Sequence, residues 1–214
     1  MTVPIPTPIF RLIHIDNLET VLRRDGLHAP LAMPNDGLPY RTIHNVEIQT
    51  IRRVQSISCG VGGTVHEYVA FYFGYLSPMM LQLKTGRVAG YNEGQKPLIY
   101  LVSSAQAIED AGIPFVFSDG HGIAAYTQWY DHLNALDKVD WGMVYQRYWS
   151  EKLDDMDRQR RKQAEFMIHK FCPWSLIQEI AVIDQSVKMQ VENIMNGFAA
   201  EMRRPVIMRP AWYY

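Results

Sequence analysis

Only two cysteines, Cys59 and Cys172, occur in a chain of 214 residues. They are too few and too far apart for a disulfide scaffold or a cysteine-rich zinc site, and are expected to be reduced, ordinary residues. No window approaches eighteen uninterrupted apolar residues, so no membrane span is expected. "MTVPIPTPIF" has prolines where a secretory signal would need an apolar helix, and it lacks a basic start; cytoplasmic residence is the expectation. Missing too are a low-complexity tract, an internal repeat and a Pro/Gly/Ser linker, which argues for one domain over residues 1–214. The formal charge of −1, taken alone, argues against a protein that coats nucleic acid by bulk electrostatics.

The familiar chemical signatures are equally scarce. There is no G-x-x-x-x-G-K-[ST] phosphate loop, and "CGVGG" at 59–63 stands before no evident helix, which removes P-loop readings. Seven histidines are scattered without the spacing of H-E-x-x-H, and no G-x-S-x-G turn occurs, so neither a metal nor a serine nucleophile is expected.

What is there is a regular alternation of short strands and helices. "PIFRLIHI" alternates as a strand, followed by "DNLETVLRRDG", where Asp16 and Glu19 have capping-box spacing and Gly26 ends the helix. Residues 27–47 carry Pro30, Pro34, Gly37 and Pro39 and read as a long irregular excursion, which in a compact domain is usually functional or disordered. "VEIQTIRRVQSI" reads as a short helix leading to an edge strand. "YVAFYF" (68–73), "PLIYLVS" (97–103), "IPFVFS" (113–118), residues 164–170, "LIQEIAVID" and "RPVIMRPAWYY" are strand candidates. Helices are expected at "SPMMLQLKTG", with Ser77 at the cap and Pro78 in the first turn, at "SAQAIEDAG", over 122–150 by apolar spacing, and at "SVKMQVENIMNGF". The pattern suits a mixed α+β domain with antiparallel pairing.

Several polar residues lie on or beside these strands. His14 and Asn17 flank the end of the first strand. Arg52 and Arg53 are adjacent, and one of them must face inward. "DGHG" places His121 on a glycine-flanked turn after a buried strand. In "RQRRKQAEFMIHKF", four cations in five positions precede Glu165. A period of two puts Glu165, Met167 and His169 on one strand face. A solvated edge would account for the glutamate alone, but Met167 on the same face points to a half-buried cleft.

In order along the chain, "PTPIFRLIHIDNLETVLRRDGLHAP", "FYFGYLSPMM", "GQKPLIYLVS", "PFVFSDGHG", "RRKQAEFMIH" and "RPAWYY" resemble the DarT toxins, ADP-ribosyltransferases that modify bases in single-stranded DNA. The resemblance implies an ADP-ribosyltransferase fold, with a split antiparallel β-sheet core and flanking helices that grip NAD⁺ in a cleft. It implies Glu165 as the catalytic acid and an arginine beside the reacting base, for which Arg52 is preferred over Arg53. His14 and Asn17 of an H-x-x-N segment, with Arg52, Tyr72 and Ser77, would contact NAD⁺. Phe73 and Met79 would line the pocket, with Met79, His121 and Arg53 toward the DNA. It implies NAD⁺ as co-substrate, thymidine as the target base, no metal, and a macrodomain antitoxin (DarG-like) as partner. Many relatives read "YFxPRSPM", whereas this chain has Gly74, Tyr75 and Leu76 before Ser77, so any contact made by that arginine does not carry over. Rival readings keep the fold with guanosine, RNA, protein or water as acceptor, or make the chain a non-catalytic nucleic-acid-binding module.

Overall fold

The computed structural model describes residues 2–214. The strands are β1 (Pro8–His14), β2 (Gly26–His28), β3 (Tyr68–Tyr72), β4 (Leu98–Ser104), β5 (Phe115–Ser118), β6 (Trp129–Tyr130), β7 (Glu165–His169), β8 (Phe171–Pro173), β9 (Glu179–Val182) and β10 (Val206–Met208). The helices are α1 (Leu18–Arg23), α2 (Val46–Val54), α3 (Pro78–Lys84), α4 (Ala105–Asp110), α5 (Trp141–Val144), α6 (Arg158–Lys162) and α7 (Gln185–Asn196). Eight strands form one sheet in the order β10-β9-β4-β1-β3-β7-β5-β6, and β2 pairs with β8 in a separate ribbon. The pairing is antiparallel except between β9 and β10, which run parallel.

The sheet is split in the middle. β1 pairs with β4 from Pro8 to His14, and β3 pairs with β7 from Tyr68 to Tyr72. Between β1 and β3 the one register pair is Phe10↔Tyr72. Beyond that rung the strands part, and the Arg11 side chain reaches across to donate to the Ala70 carbonyl at 2.9 Å.

Alternation fixes what lies above and below. On β1, Ile9 and Ile13 join a large core with Phe71, Leu101, Phe117, Phe166 and the helices α1 and α7. Phe10 and Leu12 point the other way, into a smaller core with Met80, Leu83, Tyr100 and Tyr213. Buried β-branched and aromatic residues on a half-covered pleated surface are what form these strands. α3 begins as expected, with Ser77 Oγ accepting from Met80 N–H at 3.2 Å, and Asp184 caps α7 in the same way.

Two expectations are corrected. The Asp16/Glu19 capping box does not form: His14 accepts from Asp16 N–H, a 3-10 turn intervenes, and α1 begins at Leu18. Glu19 instead pairs with Arg23 one turn on. Residues 122–150 are not one helix. Trp129 and Tyr130 pair with the β5 edge as β6, residues 133–138 form a 3-10 segment, and Asp140 caps the four-residue α5. The apolar spacing is real, but it serves three short pieces that each pack separately, with Ala135, Leu136, Trp141 and Val144 all in the large core.

Candidate active site

A cavity of about 570 Å³ opens where the sheet divides. Its walls come from β1, β3, the start of β7, the helix α2, the turn at His121, and residues 40–45 of the long excursion. That excursion, irregular as expected, therefore covers the cleft.

Glu165 stands at the cavity floor. It opens β7 opposite Tyr72 in the register, beside the last rung joining the two halves of the sheet. It is 2% exposed. Met167 on the same face is fully buried, as the period-two argument requires. Arg52 Nη1 donates to both carboxylate oxygens, at 2.9 and 3.0 Å. α2 separates the two arginines: Arg52 is buried and reaches Glu165, while Arg53, one step round the helix, is exposed. Arg52 Nη2 has only a 3.9 Å approach to Met167 Sδ, which leaves N–H groups directed into the cleft.

The His121 turn is built against this pair. Glu165 N–H donates to Ser118 Oγ at 3.2 Å, and that hydroxyl donates to the Gly120 carbonyl at 2.6 Å. His121 N–H donates to the Arg160 carbonyl at 2.9 Å, and Thr127 Oγ1 donates to the His121 carbonyl at 2.8 Å. Both flanking glycines are needed for space. A Cβ on Gly120 would lie 2.4 Å from Arg160 Nη1, and one on Gly122 would lie 2.9 Å from Glu165 Oε2. The His121 imidazole faces the cavity, its pKa lowered mainly by burial and by Arg52, with Glu165 opposing.

The other expected residues are placed unevenly. Tyr72 lines the cavity, its hydroxyl pKa pushed up to about 12 by burial and then by Glu165. Met79 lines it as well, projected from the first turn of α3. Ser77 is buried, and its hydroxyl caps α3 rather than facing the cleft. Phe73 turns instead into the large core, edge-on to Phe117, Trp141 and Phe166. His14 is buried, with Nδ1 accepting from Asp16 N–H and Nε2 3.2 Å from Arg41 Nη1. Burial lowers its pKa, Asp16 raises it and Arg41 lowers it further. Asn17 lines the cavity wall while clasping the excursion: its Oδ1 accepts Arg41 N–H at 2.6 Å and its Nδ2 donates to the Arg41 carbonyl at 2.7 Å.

The sequence reading missed Arg11, Arg41 and His44, all in the cavity wall. Arg11 Nε is buried without a hydrogen-bond partner. Arg41 also reaches Asp16 and Glu93. His44 is held at a pKa of about 4 by burial and by the cations Arg11 and Arg52 and the ring of His66. Alternation along β1 carried a signal for Arg11; the other two sit in a segment without periodicity.

The cation run before Glu165 is consumed internally. Arg160 pairs with Asp119 and Asp157, and Arg161 with Asp140 and Asp155. Lys162 is 2% exposed and donates to the Val144 carbonyl at 2.7 Å. Among the described residues no three His, Cys, Asp or Glu side chains converge as a metal ion would need.

The chain matches the family model for the ssDNA thymidine ADP-ribosyltransferase DarT over residues 10–214. It is 40% identical to the DNA ADP-ribosyl transferase of Thermus sp. (strain 2.9), covering 100% of this chain and 99% of that protein. It is 32% identical to the DNA ADP-ribosyl transferase of Escherichia coli O127:H6, over 96% of this chain and 93% of the other. The solved structure of Thermus sp. 2.9 DarT in complex with ADP-ribosylated ssDNA superposes with a TM-score of 0.93 at 39% identity, covering 100% of this chain and 99% of that one. The complex of that protein with NAD⁺ gives 0.88 at 38% identity, with both chains fully covered. A mixed α/β fold with a large, mostly antiparallel sheet thus recurs along the whole chain, which belongs to the DarT family of ssDNA ADP-ribosyltransferases.

Proposed function

We propose that the chain transfers ADP-ribose from NAD⁺ to thymidine in single-stranded DNA, releasing nicotinamide, with Glu165 and Arg52 as its catalytic residues. The observation that carries this reading is the buried Arg52–Glu165 pair at the floor of a cavity of about 570 Å³, in a member of this family.

Cleaving the nicotinamide–ribose bond develops positive charge on the ribose. A carboxylate held against a ribose hydroxyl stabilises charge that grows only in the transition state, and in a site shielded from water that interaction is strong. Glu165 takes this part. Its orientation is preset by Arg52, by the Ser118 relay and by the close approach of Gly122. Arg52 keeps N–H groups for the acceptor base, whose anionic form it favours by charge pairing; a guanidinium itself hardly gives up a proton.

His14, Asn17 and Tyr72 hold the NAD⁺ side in this reading. Asn17 does so partly through Arg41, whose main chain it fixes. Ser77 acts by capping the helix that carries Met79. Met79 and His121 face the base, and Arg53 the DNA backbone. Because Arg160 and Arg161 are already paired, the backbone contacts fall to cations outside the run at 158–162, and binding weakens with salt accordingly. The same reading makes the chain a cytoplasmic toxin whose counterpart is a macrodomain antitoxin that removes the modification.

The test is incubation with NAD⁺ and a thymidine-containing single-stranded oligonucleotide, followed by mass spectrometry. Wild type adds ADP-ribose, and Glu165→Ala does not. Unmodified oligonucleotides alongside labelled protein or RNA would sink the substrate assignment.

A further inference from the structure

The transfer releases a proton that has no obvious recipient. Thymine N3 carries hydrogen and becomes bonded to ribose C1′, while the C1′–nicotinamide electron pair leaves with the nicotinamide nitrogen. The N3 proton must therefore go to a base in the cleft. Glu165 is engaged by Arg52 and, in the proposed reaction, by the ribose hydroxyl. Arg11 and Arg52 are guanidiniums, which do not accept. His14 has both ring nitrogens engaged, and His66 meets Gln49 at 3.0 Å.

We propose that His121 is the proton acceptor of the reaction, its free imidazole nitrogen taking the N3 proton of the target base as N3 bonds to C1′ and the imidazolium then releasing it to water. Three observations carry this. Among the described residues neither ring nitrogen of His121 has a hydrogen-bond partner, although the ring lines the cavity beside Glu165. Its main chain, in contrast, is bound at both ends, to Arg160 and Thr127. Gly122 brings the turn against the carboxylate that faces the ribose, and Gly120 seats it on Arg160. A rigidly mounted, unpartnered imidazole beside the reacting centre is what general-base catalysis requires.

The charged groups facing it are Glu165 from β7 and Arg52 from α2; burial outweighs Glu165, and Arg52 acts with burial in keeping the ring neutral. Of the other cavity histidines, His44 is held neutral down to about 4, first by burial and then by Arg11, His66 and Arg52, and so is a poor proton acceptor.

The proposal rests on thymidine as the acceptor. The test measures single-turnover transfer at saturating NAD⁺ and oligonucleotide, against pH, for wild type and His121→Gln. Thymine is compared with 5-fluorouracil, whose N3 proton is more acidic. Expected for the variant is a loss of about 10²-fold on thymine, no acidic limb in its profile, and selective recovery on 5-fluorouracil, with the NAD⁺-induced rise in Tm intact. Wild type should lose activity on acidification with a midpoint below the ordinary histidine value of 6.5, the same for both bases. A wild-type rate flat through that region, a variant that keeps the acidic limb, or equal losses on both bases overturns the proposal. Absence of transfer by wild type on any oligonucleotide would instead overturn the functional reading beneath it.

Discussion

Two sets of arginine–carboxylate contacts lie on either side of the chain segment that enters β7, and they differ in what surrounds them. Arg52 and Glu165 meet at the cavity floor with side-chain exposures of 9% and 3%. Arg161, a few residues earlier in sequence, spans Asp140 and Asp155, and Arg160 spans Asp119 and Asp157, with exposures of 11% to 33%. In the second set all three guanidinium nitrogens are engaged: Arg160 bonds through Nε, Nη1 and Nη2, and so does Arg161. In the first, Arg52 keeps donors turned toward an open cleft. A buried pair is weak evidence for stability, because desolvation offsets most of its attraction. The closed network is a clasp that fixes the chain entering β7; the open pair is built for a ligand to complete.

The largest expected effect breaks the open pair. Glu165→Gln keeps shape while turning one of the two oxygens that accept from Arg52 into a donating NH2 and removing the charge that the developing oxocarbenium needs. Transfer to the oligonucleotide should fall by about 10³-fold, the scale of losing a preorganised electrostatic contact. NAD⁺ binding, followed by thermal shift, should weaken far less. Equal losses in binding and turnover would reduce Glu165 to a binding residue.

Next comes Gly122→Ala, which leaves every charge in place. Its Cβ meets the end of the Glu165 side chain at 2.9 Å, so the carboxylate must move by a few tenths of an ångström. A displacement of that kind in a preorganised site should cost roughly 10-fold in turnover, with a Tm within a few degrees of wild type. A Tm fall without a rate loss would place the strain in the turn rather than at the carboxylate.

Arg161→Ala tests the clasp. It leaves Asp140 and Asp155 without their shared cation and should lower stability by about 1 kcal/mol, as partly exposed ion pairs do, with KM for NAD⁺ unchanged. A rise in KM with unaltered stability would move this arginine from the clasp to the site.

The contrast between pair and clasp also marks where the sequence was informative. The strands follow from period-two alternation and α3 from the cap at Ser77, both local signals. Glu165 was legible because Met167 shares its face, and helical geometry separates Arg52 from Arg53 once α2 is present. The Arg41 clasp by Asn17 joins residues 24 apart through a segment with no period, and nothing local announces it. The run at 158–162 was readable as charge but not as charge already neutralised, because its partners Asp119 and Asp140 are distant in sequence. Over 122–150 an apolar stripe does not distinguish one long helix from three short pieces that share a core.

Lys162 gives the smallest and sharpest test, because it closes the clasp without an ion pair. Its amine lies in the protein interior against one carbonyl, and burial lowers its pKa from 10.5 to about 7. Between those values the unfolded chain holds a proton that the folded chain has shed, so this residue's contribution to stability rises with pH across that window and is flat below about 7. Lys162→Met removes the titration and keeps the volume. Denaturation midpoints taken across the alkaline range should show wild type gaining on the variant by no more than about 1.4 kcal/mol per pH unit, while turnover near pH 7 stays comparable because Lys162 points away from the cavity toward Val144. A constant gap between the two proteins would mean that the amine stays charged, with a partner other than the Val144 carbonyl, and the division between open pair and closed clasp would have to be redrawn at this residue.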